Sequence, residues 1–186
     1  LISHFMDWEK VYEATMQLGV ETSTQDPEGE VPARQPVLDV TRARVEECLA
    51  AFVGEQTQVP PLFSALKHKG RPLYHYARKG IEIERAPRMI TISAIECLDF
   101  DHETIKMRVR CGKGTYIRTL AADIGRVLGC GAHLIALRRL QSGFFSVEGA
   151  VAGTELIEPQ RARELLLENR LTVEDVLARL VVAGGH

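Results

Sequence analysis

Between residues 104 and 111, apolar and basic side chains alternate without interruption. Ile105, Met107, Val109 and Cys111 fall on one side, and Lys106, Arg108 and Arg110 on the other. Such a period-two pattern describes a strand with one buried and one wet face. The chain then runs straight into Gly112-Lys113-Gly114-Thr115-Tyr116-Ile117-Arg118-Thr119-Leu120. Gly112 and Gly114 let backbone approach a ligand closely, and the amides of such a turn can face a phosphate. The spacing is not that of a Walker loop. With the backbone extended past Thr115, Tyr116 and Arg118 share a face. A tyrosine there can stack on a base, and an arginine can grip a carboxylate or phosphate through two hydrogen bonds. On spacing alone, a loop whose Tyr and Arg cover the edge of the core fits better.

Around this centre the pattern predicts strands over 10–18, 89–98 and 136–146. It predicts helices over 42–53, 73–78, 120–128, 159–169 and 172–180. Thr41 is placed to cap the first of these helices, with Val45, Cys48, Leu49 and Phe52 on its apolar stripe and Gly54 as its stop. Gly80 is read as the end of the second helix and Gly129 as the end of the third, whose apolar face is Leu120, Ile124, Val127 and Leu128. Residues 21–36 read as a polar stretch with Asp26-Pro27-Glu28-Gly29 as a turn. Thr172 and Asp175 have the spacing of a capping box, with Asp in place of the usual Glu or Gln. Strands and helices mix without a regular β-α-β alternation. The predicted fold class is therefore α+β, with a mixed, mostly antiparallel sheet and flanking helices. No internal repeat is present, and Ala183-Gly184-Gly185-His186 reads as a cut end.

At 186 residues the chain is long enough for one domain with a real core. No apolar run is long enough to span a bilayer, and no signal peptide opens the sequence, so no membrane partner is expected. The four cysteines form no C-x-x-C pair, and a zinc site is not expected. Reduced thiols in a cytoplasm are the simplest reading. The formal charge of -2 conceals an uneven distribution. Between Lys67 and Arg139 there are 15 Lys and Arg against 7 Asp and Glu. A basic centre flanked by acidic ends suits a polyanion, although a merely solvated surface fits equally.

Other candidate residues are fewer. Tyr12 lies within an apolar strand and, on spacing alone, is a core aromatic. His133 falls between two predicted elements, where a structural histidine is the usual outcome. Arg138 and Arg139 can reach phosphates, though paired arginines on a strand more often straddle the surface. Lys67, Lys69, Arg71, Arg78 and Lys79 interleave with Tyr74, His75 and Tyr76. That mixture suits a structured RNA loop, with cations on phosphates and rings on bases.

These stretches together resemble the TruB family of tRNA pseudouridine synthases. The resemblance is carried by Tyr12 to Gly19 with Thr22-Ser23-Thr24-Gln25-Asp26-Pro27-Glu28-Gly29-Glu30. It continues through Pro60-Pro61-Leu62-Phe63-Ser64-Ala65-Leu66-Lys67 and Leu73-Tyr74-His75-Tyr76-Ala77-Arg78-Lys79-Gly80. Lys113 to Leu120, Gly129-Cys130-Gly131-Ala132-His133-Leu134 and Leu137-Arg138-Arg139 complete the set. They occur in family order from Tyr12 to Phe145, and the Gly-Cys-Gly-Ala-His-Leu form resembles the bacterial branch.

The resemblance implies an isomerase that converts the T-loop uridine of tRNA, position 55, to pseudouridine without cofactor or metal. The base is flipped out, an aspartate attacks, and the ring turns so that C5 rejoins the sugar. It implies that Tyr12 stacks on the target base and takes part in removing the C5 proton. Tyr116 then lines the pocket, Arg118 pairs with the catalytic aspartate, and Leu137 packs against the base. Lys67, Lys69, Arg71, Arg78, Lys79, Lys113, Arg138 and Arg139 are the implied RNA contacts. Residues 60–88 resemble an inserted element that grips the T arm of tRNA, the implied partner. Residues 1–150 are read as part of the catalytic domain, and 151–186 as a C-terminal helical segment of it.

The family's nucleophilic aspartate sits in a stretch like G-H-x-G-T-L-D-P, which this sequence does not contain. Asp26, Asp99, Asp101 and Asp123 fall at other positions of the family pattern. The expectation is a fragment, inactive alone, whose further partner is the segment that carries that stretch. The C-terminal RNA-binding module of bacterial members is also expected to be missing. A non-catalytic RNA-binding module or RNA chaperone is the competing reading. An α+β enzyme acting on a phosphorylated small molecule is a more remote one.

Overall fold

The structure, a computed structural model, describes residue 5 and residues 7–183, the last four of these by backbone alone. The chain end at 184–186 lies outside the described residues. The strand expected over 104–111 is β8 (Thr104–Cys111), with Ile105, Met107, Val109 and Cys111 buried. It lies at the centre of a six-stranded sheet ordered β10-β9-β1-β8-β7-β4. The other strands are β1 (Lys10–Leu18), β4 (Gly54–Gln58), β7 (Arg88–Phe100), β9 (Ala132–Ser142) and β10 (Phe145–Ser146). Every pairing in this sheet is antiparallel, which agrees with the fold class read from the sequence.

One face of the sheet is apolar. Ala14, Met16 and Leu18 of β1 join Ile90 and Ile92 of β7 and the buried row of β8. Two helices cover this face. Val45, Cys48 and Leu49 come from α1 (Arg42–Ala51), and Ile117, Leu120, Ala121, Ile124 and Leu128 from α3 (Ile117–Leu128). Burying each such large side chain contributes roughly 1.5–3 kcal/mol. Thr41 caps α1 as expected, its hydroxyl accepting from the Arg44 amide at 3.3 Å.

Several expectations are corrected. Gly54 does not stop α1. Phe52 caps it, and Gly54, with φ of 113°, opens β4. The sequence Gly-Glu-Gln-Thr-Gln has no apolar alternation because β4 is an edge strand with one neighbour. Val127 is 59% exposed and does not join the buried stripe of α3, which holds Ile117 and Ala121 besides the expected Leu120, Ile124 and Leu128. Strand β9 begins four residues earlier than 136, so His133 lies inside a strand rather than between elements. It is 7% exposed, and its Nδ1 donates to the Val20 carbonyl at 2.9 Å. The chain also makes two short ladders that periodicity does not show. They are β2 (Val20–Glu21) with β3 (Ala33–Arg34), and β5 (Lys67–His68) with β6 (Arg71–Pro72). Between β5 and β6, Lys69 at φ 48° and Gly70 at φ 79° form the left-handed turn that a two-residue hairpin needs.

Helix α2 (Leu73–Ala77) follows the hairpin directly, and Gly80 with φ of 65° ends that segment. At the far end, α4 (Pro159–Glu168) and α5 (Val173–Ala183) are both present. The Asp form of the capping box is real. The Asp175 amide donates to the Thr172 hydroxyl at 3.1 Å, and the Thr172 amide to the Asp175 carboxylate at 2.9 Å. Among the described residues, no helix is long and apolar enough to cross a membrane.

Candidate active site and nucleic-acid interface

The antiparallel order brings the start of β1, the end of β8, the start of β7 and the end of β4 to one end of the sheet. Lys10 pairs with Cys111 and Ser142, and Gln58 with Arg88. The glycine loop leaves β8 at this same end and turns into α3. Tyr116 is extended and serves as the N-cap position, whereas Arg118 is already in the first helical turn. The extended backbone that would put both on one strand face is therefore replaced by a strand-to-helix turn. Gln58, 4% exposed, fixes this turn from β4. Its side-chain oxygen accepts from the Tyr116 amide at 2.8 Å, and its nitrogen donates to the Tyr116 carbonyl at 3.1 Å.

Arg118 is the most connected side chain of the region. It donates to the Asp26 carboxylate at 2.5 Å, the Phe63 carbonyl at 2.7 Å and the Thr24 carbonyl at 3.4 Å. One guanidinium thus ties the first turn of α3 to the loop after β2 and to the base of the 60–88 segment. Burial of Asp26 opposes its ionisation, but hydrogen bonds from Thr24, Arg118 and the Glu28 amide outweigh it. The carboxyl is held below its usual range. Sequence reasoning missed both Asp26 and Gln58 as site residues. Asp26 carries a local turn signature that explains it without reference to Arg118, and Gln58 carries no signal at all.

Tyr12 sits on the core face of β1, between Val109 of β8 and Arg139 of β9. Leu137 lies opposite Ala14, two positions along the same strand pair, and is 48% exposed. Alternation puts Tyr12, Ala14, Leu137 and Arg139 on one face. Arg138 lies opposite Glu13, on the other face. The two arginines therefore straddle the sheet. Burial raises the Tyr12 pKa and nearby Cys111 adds to this, while the Arg139 guanidinium at its hydroxyl opposes the shift. Tyr12 also lines a cavity of about 570 Å³ with Met89, Ile90 and the loop residues Gly112 to Thr115. Lys10, Arg88, Lys113 and Asp7 complete its wall, and Tyr116, Arg118 and Leu137 do not line it.

The basic surplus of the sequence divides into two classes in space. Lys106 pairs with Glu13, Arg108 with Glu96, Arg110 with Glu9, Lys113 with Asp7 and Arg126 with Asp123. Lys67, Lys69, Arg71, Arg78 and Lys79 are instead exposed on the β5–β6 hairpin and just after α2. There Arg78 stacks over the Tyr74 ring at 5.5 Å, and the Tyr76 hydroxyl donates to the His68 carbonyl at 3.0 Å. The hairpin is thus an ordered platform bearing cations and rings. At its base, Arg85 donates to the Pro60 carbonyl at 3.0 Å, joining the two ends of the segment.

Comparison with known proteins finds one family along nearly the whole chain. The TruB family pseudouridylate synthase (N terminal domain) matches residues 1–117, and the tRNA pseudouridylate synthase B C-terminal domain matches residues 118–182. The boundary falls within α3, so the strands β9 and β10 of the second match complete the sheet of the first. The chain is 54% identical over 181 residues to the tRNA pseudouridine synthase B of Desulfotalea psychrophila, covering 95% of this chain and 73% of that protein. It is 49% identical over 179 residues to the protein of the same name from Dechloromonas aromatica, covering 96% of this chain and 59% of that protein. Among solved structures, a chain of a Cbf5-Nop10-Gar1 complex superposes with a TM-score of 0.62 at 27% identity, over 90% of this chain and 39% of its own. A chain of an archaeal box H/ACA sRNP Nop10-Cbf5 complex gives 0.56 at 25% identity, over 84% of this chain and 35% of its own. With family matches running through both the strand-to-helix turn at Tyr116 and the sheet that carries Tyr12, the chain belongs to the TruB family of pseudouridylate synthases.

Proposed function

We propose that this chain supplies the base-positioning half of a tRNA pseudouridine synthase that acts on the T-loop uridine of the T arm. The single observation that carries the reading is the family match across 1–117, and the placing of Tyr12 near the start of β1, at the end of the sheet where the chain leaves β8 for α3, supports it. Tyr12 stacks on the flipped uridine, Leu137 packs against it from β9, and Tyr116 lines the approach. Lys67, Lys69, Arg71, Arg78 and Lys79 hold the T-arm backbone, which an exposed cation cluster does through phosphate contacts.

The isomerisation conserves every atom. The bond from C1′ to N1 breaks with help from an aspartate, the base turns, and C5 bonds to C1′. C5 loses its proton on the Tyr12 side, and N1 gains one. No cofactor or metal is called for by this balance. The nucleophile is not among the 186 residues in a G-H-x-G-T-L-D-P setting. A positioned tyrosine and arginine do not replace a covalent nucleophile. The 186 residues alone are therefore inactive, and Arg118, held by Asp26, is the group that meets the incoming aspartate. The four free cysteines fit a reducing, cytoplasmic setting.

The test uses a tRNA transcript tritiated at uridine C5. The 186-residue chain is expected to release no tritium. The same chain joined to a family segment bearing G-H-x-G-T-L-D-P is expected to release it from the T-loop position only. Tight tRNA binding with no release from either protein would favour a non-catalytic RNA-binding module.

A further inference from the structure

We propose that Arg139 is a positioning residue that orients the Tyr12 phenol toward the flipped base, and is not a contact to RNA phosphate. This rests on the reading of Tyr12 as the ring that faces the target uridine. The geometric basis is a break in the β1–β9 ladder. Lys10 pairs with Ser142 and Val11 with Gln141, but Tyr12 pairs with Arg139. An unbroken register would set Leu140 opposite Tyr12. The bulge between Val11 and Tyr12 skips that leucine and puts a guanidinium beside the phenol instead.

Alternation sends the two adjacent arginines to opposite faces, and the bulge decides which of them shares the face of Tyr12. Arg138 goes to the face of Glu13 and Arg139 to the face of Tyr12. A bulge re-aims side chains at a local cost in pairing, and it is retained where a side chain must point somewhere particular. Nearby carboxylates are engaged with other cations, Glu9 with Arg110, Glu13 with Lys106 and Asp7 with Lys113. Among the described residues, none of the ion pairs involves Arg139. Its guanidinium acts instead on the Tyr12 hydroxyl, and its charge is felt at Lys10. Facing Tyr12 are therefore Cys111 from β8 and Arg139 from β9, with Lys10, Asp7, Arg88 and Lys113 around the same cavity. Arg139 is itself exposed, and its planar guanidinium beside the half-buried phenol favours one orientation of the hydroxyl.

Two readouts on the 186-residue chain separate positioning from phosphate contact. The first is the titration of Tyr12, followed by NMR of tyrosine labelled with ¹³C at Cζ and assigned with Tyr12→Phe. Arg139→Gln is expected to move this titration to higher pH, Arg139→Lys to bring it back toward the unmodified protein, and Arg138→Gln to leave it in place. The second is the salt dependence of binding to an unmodified tRNA transcript. Arg139→Gln is expected to leave the slope of log K against log salt unchanged. An unmoved Tyr12 titration in Arg139→Gln would overturn the proposal, as would a loss of about 0.9 in that slope, the value for one phosphate contact. Dispersed amide resonances in each variant show that the fold is intact. If Tyr12 does not face the base, its removal leaves base flipping unaffected while its titration still responds to Arg139, so the two failures are distinguishable.

Discussion

At the scale of the residue, Arg118 shows how much one side chain can organise. Its three acceptors lie on two other segments, and the Asp26 carboxylate is the charged one. Because hydrogen bonding depresses the folded pKa of Asp26 against burial, its stabilisation is complete above the ordinary carboxylate range. It is lost as pH falls through the folded value. Asp26→Asn is therefore expected to cost about 1–2 kcal/mol at neutral pH, the worth of a hydrogen bond to a charged group discounted for partial exposure. It should also flatten the acid side of the stability profile. Urea denaturation across pH 3 to 7 checks both. Arg118→Lys should not rescue the arrangement, because an ammonium cannot reproduce the planar fork that spans a carboxylate and two carbonyls. Arg118 stood out through the family resemblance and not through its spacing. Asp26 did not stand out, because 92 residues separate the pair and its turn signature is satisfied locally, with the Gly29 amide donating to the Asp26 carbonyl at 3.4 Å.

At the scale of the element, α3 sets the position of Tyr116 and Arg118, and its seat on the sheet depends on a glycine. A Cβ at Gly125 would stand 2.4 Å from both the Cβ and the amide nitrogen of Ala132, at the start of β9. Backbone cannot yield there, so Gly125→Ala must lift the helix. At Gly129 the space is open, and only the left-handed φ of 86° opposes a side chain. Gly125→Ala is expected to cost roughly 1–3 kcal/mol or more by overpacking. Gly129→Ala should cost about 1 kcal/mol by backbone strain. Thermal unfolding of the two variants gives the order, and the reverse order would show that α3 does not rest on Gly125.

Strand β8 and the helix after it could be read from the sequence because one face of each is buried in a single regular period. Strand β4 could not, since an edge strand with polar side chains has no such period. The early start of β9 was hidden by Gly129 and Gly131, which mark a turn locally while the strand is imposed by pairing with β1.

At the scale of the whole molecule, the basic surplus was visible in composition, but its allocation was not. The cations of β8 form ion pairs at the surface, each worth about 0–1 kcal/mol. Those of the hairpin and the turn after α2 are exposed, with Arg78 over the Tyr74 ring. Replacing Lys69 and Arg71 together by Gln is expected to lower the salt slope of tRNA binding by about two phosphate equivalents. The pair Arg108→Gln and Arg110→Gln should leave it nearly unchanged. A stretch of 73 residues between Lys67 and Arg139 thus contains both a neutralised sheet face and an open one-sided platform.

The most direct measurement is fluorine NMR of a T-arm stem-loop carrying 5-fluorouridine at the target position, titrated with the 186-residue chain. The resonance of that base is expected to shift on binding, and Tyr12→Ala is expected to remove the shift while the stem-loop still binds. A resonance that stays in place at saturation, or that moves equally with Tyr12→Ala, would contradict a base-positioning site at Tyr12.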